Sequence, residues 1–178
     1  MRRPPKRLGT EEDLYTAALR ALMRRAHSIF EMRRSLERRA DDKALVRRVL
    51  DRLKRENLLD DARYARQFAR HHAESRRRGH YRIARDLRAR GVPDRHIEPA
   101  LAEVFEEVNE AALLRKRIER RLRTLRGPLD QRKLASLYAS LLRAGFSADA
   151  IRRELRTVSK RADTLPETEF SGIVEEPS

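Results

Sequence analysis

Three groupings of side chains in this sequence have the types and spacing to do chemistry. The first is histidine: His27, His71, His72, His80 and His96. His71 and His72 are adjacent, so on a helix they point about 100° apart and cannot share a metal ion. There is no Cys and no Glu/His pair at ligand spacing, so no metal site is expected, and His72 reads as a partly buried core residue. The second grouping is Asp60-Asp61. Neighbouring acids at a helix start act as caps and dipole partners far more often than as a catalytic dyad.

The third grouping is cationic. Arg63, Arg66, Arg70 and Arg77 fall on one side of a predicted helix, opposite Ala65, Phe68, Ala69 and His72. Arg78, Arg82 and Arg85 form a second stripe, and Lys116, Arg120 and Arg123 a third. Arg34, Arg38, Arg48 and Arg52 make a weaker set. Arginine dominates over lysine, and its planar fork pairs bidentately with phosphate or carboxylate. The chemistry on offer is therefore anion binding. Nearby Asp51, Glu56, Asp86 and Glu119 can neutralise some of these cations through pairs one turn apart. There is no phosphate loop of the Walker type, no G-x-G-x-x-G, no H-E-x-x-H and no G-x-S-x-G. No catalytic residue and no cofactor is expected, so the chain reads as a non-enzyme.

The elements that must hold these cations repeat. Met32-x3-Leu36-x3-Ala40-x5-Val46-x3-Leu50 matches Ile83-x3-Leu87-x3-Gly91-x5-Ile97-x3-Leu101, shifted by 51 residues. Both match Leu137-x3-Leu141-x3-Gly145-x5-Ile151-x3-Leu155, a further 54 residues on. A period of this size marks stacked supersecondary units that expose an extended binding surface. Helical periodicity predicts nine helices in three groups, over 11–26, 28–39 and 42–56, then 61–77, 80–90 and 94–107, then 109–125, 130–144 and 147–160. The fold expected is all-α: three tandem three-helix repeats (11–57, 58–108 and 109–160) in an elongated, curved, right-handed or solenoid-like array. A basic flexible segment (1–10) precedes them, and an acidic disordered tail (161–178) follows.

Local signals support the grouping. Gly91 and Gly145 sit where a residue of positive φ would end a helix, with Val92 and Phe146 placed to touch Leu87 and Leu141 in a Schellman ending. In unit one Ala40 stands in place of Gly. Either it accepts the left-handed conformation at about 1–2 kcal/mol, or that helix ends differently. Thr10, Asp60 and Asp61 are start signals, while Asn57 and the Gly127-Pro128 step are stop signals. Pro99 lies inside a predicted helix, where it removes one hydrogen bond and should cause a kink.

Composition bounds the class. Charged residues make up 40% of 178 and aromatics 5%, yet apolar residues reach 39% and are periodic, so the chain folds. No apolar run is long enough to cross a membrane, and a cytoplasmic location is the expectation. Net charge is +15. Residues 161–178 hold Arg161 against five acids, a balance of −4, which leaves +19 on residues 1–160. A surplus of that size favours a polyanionic partner.

The sequence resembles the RecX family, the bacterial regulators of RecA recombinase. The resemblance rests on Leu58-Leu59-Asp60-Asp61-Ala62-Arg63-Tyr64-Ala65, on Gly79-x3-Ile83-x3-Leu87-x3-Gly91-Val92-x4-Ile97, on Gly145-Phe146-Ser147-x3-Ile151-x3-Leu155 and on His27-Ser28. It spans about residues 13–156. Asn57 and Ala40 depart from it, standing where the family usually has Gly, and the acidic tail is outside its pattern. The resemblance implies an elongated array of three-helix repeats that binds along the groove of the RecA–single-stranded-DNA filament. It also implies depressed ATPase, strand-exchange and co-protease activities, and so modulation of recombinational repair and the SOS response. The expected partner is the filament, with single-stranded DNA a candidate direct contact, no membrane, and a monomeric protein. The alternative is a direct DNA-binding protein of helix-turn-helix type, against which the acids Glu98, Glu103, Glu106 and Glu107 count. A scaffold for another protein partner is a third class.

Overall fold

The computed structural model describes residues 7–125 and 129–162. Through them run α1 (Glu11–Arg24), α2 (Ile29–Glu37), α3 (Lys43–Arg55), α4 (Asp61–Glu74), α5 (His80–Arg88), α6 (Asp94–Glu107), α7 (Glu110–Thr124), α8 (Gln131–Arg143) and α9 (Ala148–Ala162). No strand occurs among the described residues, only an isolated bridge between Leu8 and Ala40. Each helix lies where periodicity predicts it, with ends within three residues. α6 continues through Pro99. The Gly127-Pro128 stop and the tail from 163 onward fall outside the described residues.

Three apolar clusters hold the helices in threes. Leu14, Met32, Leu36, Val46 and Leu53 centre the first, Ala69, Ile83, Leu87, Ile97 and Leu101 the second, and Leu114, Ile118, Leu141, Phe146 and Ile151 the third. All twelve apolar positions of the sequence repeat apart from the turn residues are at most 3% exposed. Each stabilises its unit by about 1.5–3 kcal/mol. The clusters stay separate, apart from Leu113, which touches the second and the third.

The turns after α5 and α8 are complete Schellman endings. Gly91 has φ +70 and Gly145 φ +93. Val92 N–H donates to Leu87 O and Gly91 N–H to Arg88 O, while Phe146 and Gly145 donate to Leu141 O and Leu142 O. Asn57 does the same after α3 with φ 55, donating to Lys54 O. Unit one takes the other route open to Ala40, which has no positive φ. Its carbonyl neighbour Arg39 accepts from Leu8 N–H at 2.7 Å, and Asp41 N–H donates to Leu8 O at 3.2 Å. Residues expected to be mobile therefore include one, Leu8, that is hydrogen-bonded onto the end of α2.

The units are joined by one polar device used twice. At the first joint Ser28 Oγ donates to Arg90 O at 2.6 Å, and Ile29 N–H donates to Asp61 Oδ1 at 2.8 Å. At the second, Gly79 N–H donates to Ala144 O at 2.9 Å and His80 N–H to Glu110 Oε1 at 2.9 Å. The residues correspond: the N-cap of one unit's second helix meets the end of the next unit's second helix. The first amide of that helix meets the carboxylate that opens the next unit's first helix. Tyr81 N–H adds a third bond, to Gly145 O at 3.1 Å. α8, α5 and α2 thus stack end to end, carbonyl terminus onto amide terminus. Orphan groups of one helix satisfy those of another, and the dipoles align head to tail. Leu8 occupies the same position at the free end of α2.

Candidate anion-binding groove

The sequence-predicted cations divide into two sets once their neighbours are known. On α4, Arg66 faces Glu103 at 3.9 Å and Arg70 faces Glu107 at 2.9 Å, both acids on α6. Arg63 donates to the backbone carbonyl of Asn57. This groove of about 460 Å³ also contains Glu74, so its charge is largely compensated. Arg123 pairs with Glu119 at 3.9 Å. Arg85 and Lys116 are exposed and make no ion pair among the described residues. α6, the helix that a helix-turn-helix reader would insert, commits Asp94 and Glu98 to Arg88 as well.

The second set converges at the joint between units two and three. A groove of about 510 Å³ is lined by Arg76, Arg77 and Arg78 from the α4–α5 turn and Arg82 from α5. Arg117 and Arg120 of α7 and Arg143 of α8 complete it, and no carboxylate lines it. Ser75 borders both grooves, so they are contiguous. Asp86 holds Arg78 at 2.5 Å and Arg82 at 3.1 Å, which fixes two guanidinium groups with one negative charge. Arg117 donates to the carbonyls of Arg76 and Arg77 at 3.4 and 3.2 Å, partners that orient it without neutralising it. Burial, and then the cations Arg120, Arg78 and Arg77, pull the Arg117 pKa down. Arg77 itself sits at φ 47, a left-handed conformation that costs a non-glycine residue about 1–2 kcal/mol. Crowded like charge in one concave site is what a bound anion relieves.

Sequence spacing singles out Arg77, Arg78, Arg82 and Arg120 of this groove and misses Arg76, Arg117 and Arg143. Arg117 and Arg120 lie three apart on α7, a stripe that competes with Lys116, Arg120 and Arg123. Only the joint reveals which of the two faces another unit. No group of three or more metal-ligating side chains occurs among the described residues, and no helix there is long and apolar enough to cross a membrane.

His72 lies at the base of the same unit, its ring 4.0 Å from that of Phe68 and its buried Nδ1 without a partner. Burial, then Arg78 and His71, push its pKa down to about 4. A histidine held neutral in the fold stabilises it fully above pH about 6.5, and that contribution fades as pH falls toward 4. Because the side chain is partly exposed, the loss expected between pH 7 and 5 is about 1–2 kcal/mol. Urea titrations at the two pH values check it. His72→Leu should show a flatter dependence, and an equal dependence in both proteins would refute the assignment.

Fold and groove together define a class: an all-α repeat protein with polar joints between its units and an arginine-lined groove at one of them. The model of the second three-helix domain of RecX matches residues 60–101. A regulatory protein RecX of Halorhodospira halophila is 40% identical over 145 residues, covering 81% of this chain and 87% of the relative. One from Deinococcus radiodurans is 38% identical over 165 residues, covering 89% and 74%. The crystal structure of RecX from Lactobacillus salivarius superposes with a TM-score of 0.70 at 21% identity, covering 84% of this chain and 97% of that one. A second RecX crystal structure gives 0.68 at 23% identity. The chain belongs to the RecX family of regulatory proteins.

Proposed function

We propose that this protein binds along the groove of the RecA–single-stranded-DNA filament as a monomer and depresses its ATPase, strand-exchange and co-protease activities. In the cell it acts in the cytoplasm, restraining recombinational repair and the SOS response. The observation that carries this reading is the arginine groove at the second joint. Apart from Arg78 and Arg82, which share Asp86, its cations make no ion pair among the described residues, and the groove adjoins a second one through Ser75. A repeat protein with such a path can contact several subunits of a helical polyanion at once, and many weak contacts make binding steeply salt-dependent. Chemistry on the filament's substrates is not part of the proposal.

The test is RecA ATPase on single-stranded DNA titrated with this protein. Hydrolysis is expected to fall at stoichiometric or lower amounts, and to recover as salt is raised. Undiminished hydrolysis at a one-to-one ratio would sink the reading. If cosedimentation with the filament fails while another protein is captured, the scaffold class takes its place.

A further inference from the structure

The groove at the second joint and the segment beyond α9 carry opposite charge. We infer that residues 163–178 dock into the groove of Arg77, Arg117, Arg120 and Arg143 and compete there with any polyanion, so that the chain holds an inhibitor of its own site. This concerns the regulation of the site in the filament reading and rests on that reading for its consequence in the cell. The contact itself is made within one chain and needs no RecA.

Three observations carry it. The first is complementarity. Residues 163–178 hold Asp163, Glu167, Glu169, Glu175 and Glu176 and no Lys or Arg. The groove is lined by arginines from the α4–α5 turn, α5, α7 and α8 and by no carboxylate. Two other grooves already contain acids, Glu74 and Glu103 in one and Asp130 in the other. There Arg66 pairs with Glu103 and Lys133 with Asp130. At the second joint Asp86 holds Arg78 and Arg82, and no other described carboxylate answers the cations. Arg117 is already fixed by the carbonyls of Arg76 and Arg77, so pairing with a carboxylate costs it little freedom.

The second is reach. Glu154 of α9 meets Arg115 of α7 at 3.0 Å, and Arg117 and Arg120 follow Arg115 within two turns. From Glu154 the helix continues to its end at Ala162, a rise of about 12 Å. Residues 163–178 span about 50 Å when extended, so they reach the groove with length to spare. A ligand tethered so close acts at an effective concentration of about 1 mM, and even a weak contact then competes. The third is an aromatic match. Phe170 stands between Glu167 and Glu169 on one side and Glu175 and Glu176 on the other. Tyr81 is 63% exposed. Its amide is hydrogen-bonded to Gly145 O, beside Ala144 and Arg82, both of which line the groove. A ring flanked by acids suits a ring flanked by arginines: the rings pack while carboxylates pair with guanidinium groups.

The chain contains no cysteine, so introduced pairs report proximity without background. Ser140 and Ser136 lie one turn apart on α8, Ser140 in the arginine groove and Ser136 in the groove that contains Asp130. Ser171→Cys is combined with Ser140→Cys or with Ser136→Cys in the full chain, and disulfide formation is followed in a glutathione redox buffer. The pair with Ser140 is expected to close within one chain at least about fivefold more readily at low salt. The preference should vanish at about 1 M salt, where charges are screened within about 3 Å. It should also fall in Tyr81→Ala and in Glu167→Gln with Glu169→Gln. Equal closure of the two pairs, or closure only between copies, overturns the inference. The competition is read by fluorescence anisotropy with a labelled oligo-dT strand as the anionic probe. Glu167→Gln with Glu169→Gln should tighten the probe by about three- to tenfold at low salt. Glu37→Gln with Glu106→Gln removes the same charge from exposed acids that make no ion pair among the described residues. It should tighten the probe no more than about twofold, the part due to net charge. Equal tightening by the two variants overturns the inference, as does an affinity that the 163–178 variant leaves unchanged. ATPase titrations separate the two readings. If the Ser140 pair is preferred and the probe tightens, but neither wild type nor variant depresses RecA hydrolysis, the inference stands and the filament reading falls. If wild type depresses hydrolysis while the two pairs close equally, the inference falls and the filament reading stands.

Discussion

Gly145→Ala is expected to destabilise the protein by about 2–5 kcal/mol, the sum of two costs at one atom. An alanine at φ +93 accepts a left-handed conformation at about 1–2 kcal/mol. Its Cβ would also stand 2.3 Å from both the backbone nitrogen and Cβ of Arg82. That neighbour is a hydrogen-bonded helix start and cannot swing aside, so α5 and α8 must part and lose the bonds from Gly79 and Tyr81. Overpacking of this kind adds about 1–3 kcal/mol. Gly91→Ala is the comparison. Its φ is +70, and its Cβ would stand 2.5 Å from the Cβ of Phe30, which the α2 backbone fixes in place. The same two costs apply there, so the expected loss is again about 2–5 kcal/mol. Thermal melts by circular dichroism check both. At about 2–4 °C per kcal/mol, each substitution should lower the midpoint by roughly 4–20 °C. A shift of less than about 2 °C in either would mean that its joint has slack. Because Arg82 lines the arginine groove, Gly145→Ala should weaken anion binding as well, whereas Gly91→Ala should not.

These two glycines also show what could be read from sequence. Their role as helix stops was legible because a Schellman ending lies within six consecutive residues, and Leu87 to Val92 or Leu141 to Phe146 carries the whole pattern. Their role in the joints was not. Phe30 and Gly91 lie in different units, as do Arg82 and Gly145, and a single sequence does not say that the second helices meet end to end. The corresponding residues were in view, however. Ile29 and His80 occupy the same place in successive units, and each is answered by the first residue of the next unit's first helix, Asp61 or Glu110. Asp61 reads from sequence as a second acid beside a cap. In the fold it is 6% exposed and holds the start of α2, with burial pushing its pKa up.

The cations divide for the same reason. Spacing along α4 places Arg66 and Arg70 on one face, but whether that face is free depends on α6, which brings Glu103 and Glu107 to it. The acids of α6, read as evidence against a nucleic acid helix reader, turn out to neutralise a stripe read as evidence for an anion site. The surplus remains where no acid-bearing helix lies opposite, at the second joint. Ala40 makes the complementary point. At the end of α2, Leu8 supplies the donor that a neighbouring unit brings to the ends of α5 and α8.

Ser28→Ala tests the first joint in the way that Gly145→Ala tests the second, and the expected loss is about 2–3 kcal/mol. Ser28 is fully buried, and its hydroxyl serves two partners. It accepts from Glu31 N–H at 3.1 Å as the N-cap of α2, with Glu31 returning the bond to Ser28 N–H in a capping box. Removing such a cap costs about 1 kcal/mol. The same hydroxyl donates to Arg90 O, and leaving that carbonyl unsatisfied in a buried joint costs about 1–3 kcal/mol. At the second joint the matching donor is the backbone N–H of Gly79, which no side-chain deletion removes. There the vulnerable point is steric: a Cβ on Gly79 would stand 2.3 Å from Gly145 O. Combining variants separates local from shared effects. Ser28→Ala with Gly145→Ala touches two joints and should be additive within about 0.5 kcal/mol, since distant sites act independently. Ser28→Ala with Gly91→Ala touches one joint twice and should fall short of the sum, because a joint already opened by one change has less to lose to the other. Urea unfolding of the single and double variants measures both couplings. Full additivity in the second pair would mean that Ser28 stabilises α2 alone, and that Asp61 and the Glu31–Arg90 pair hold the units together without it.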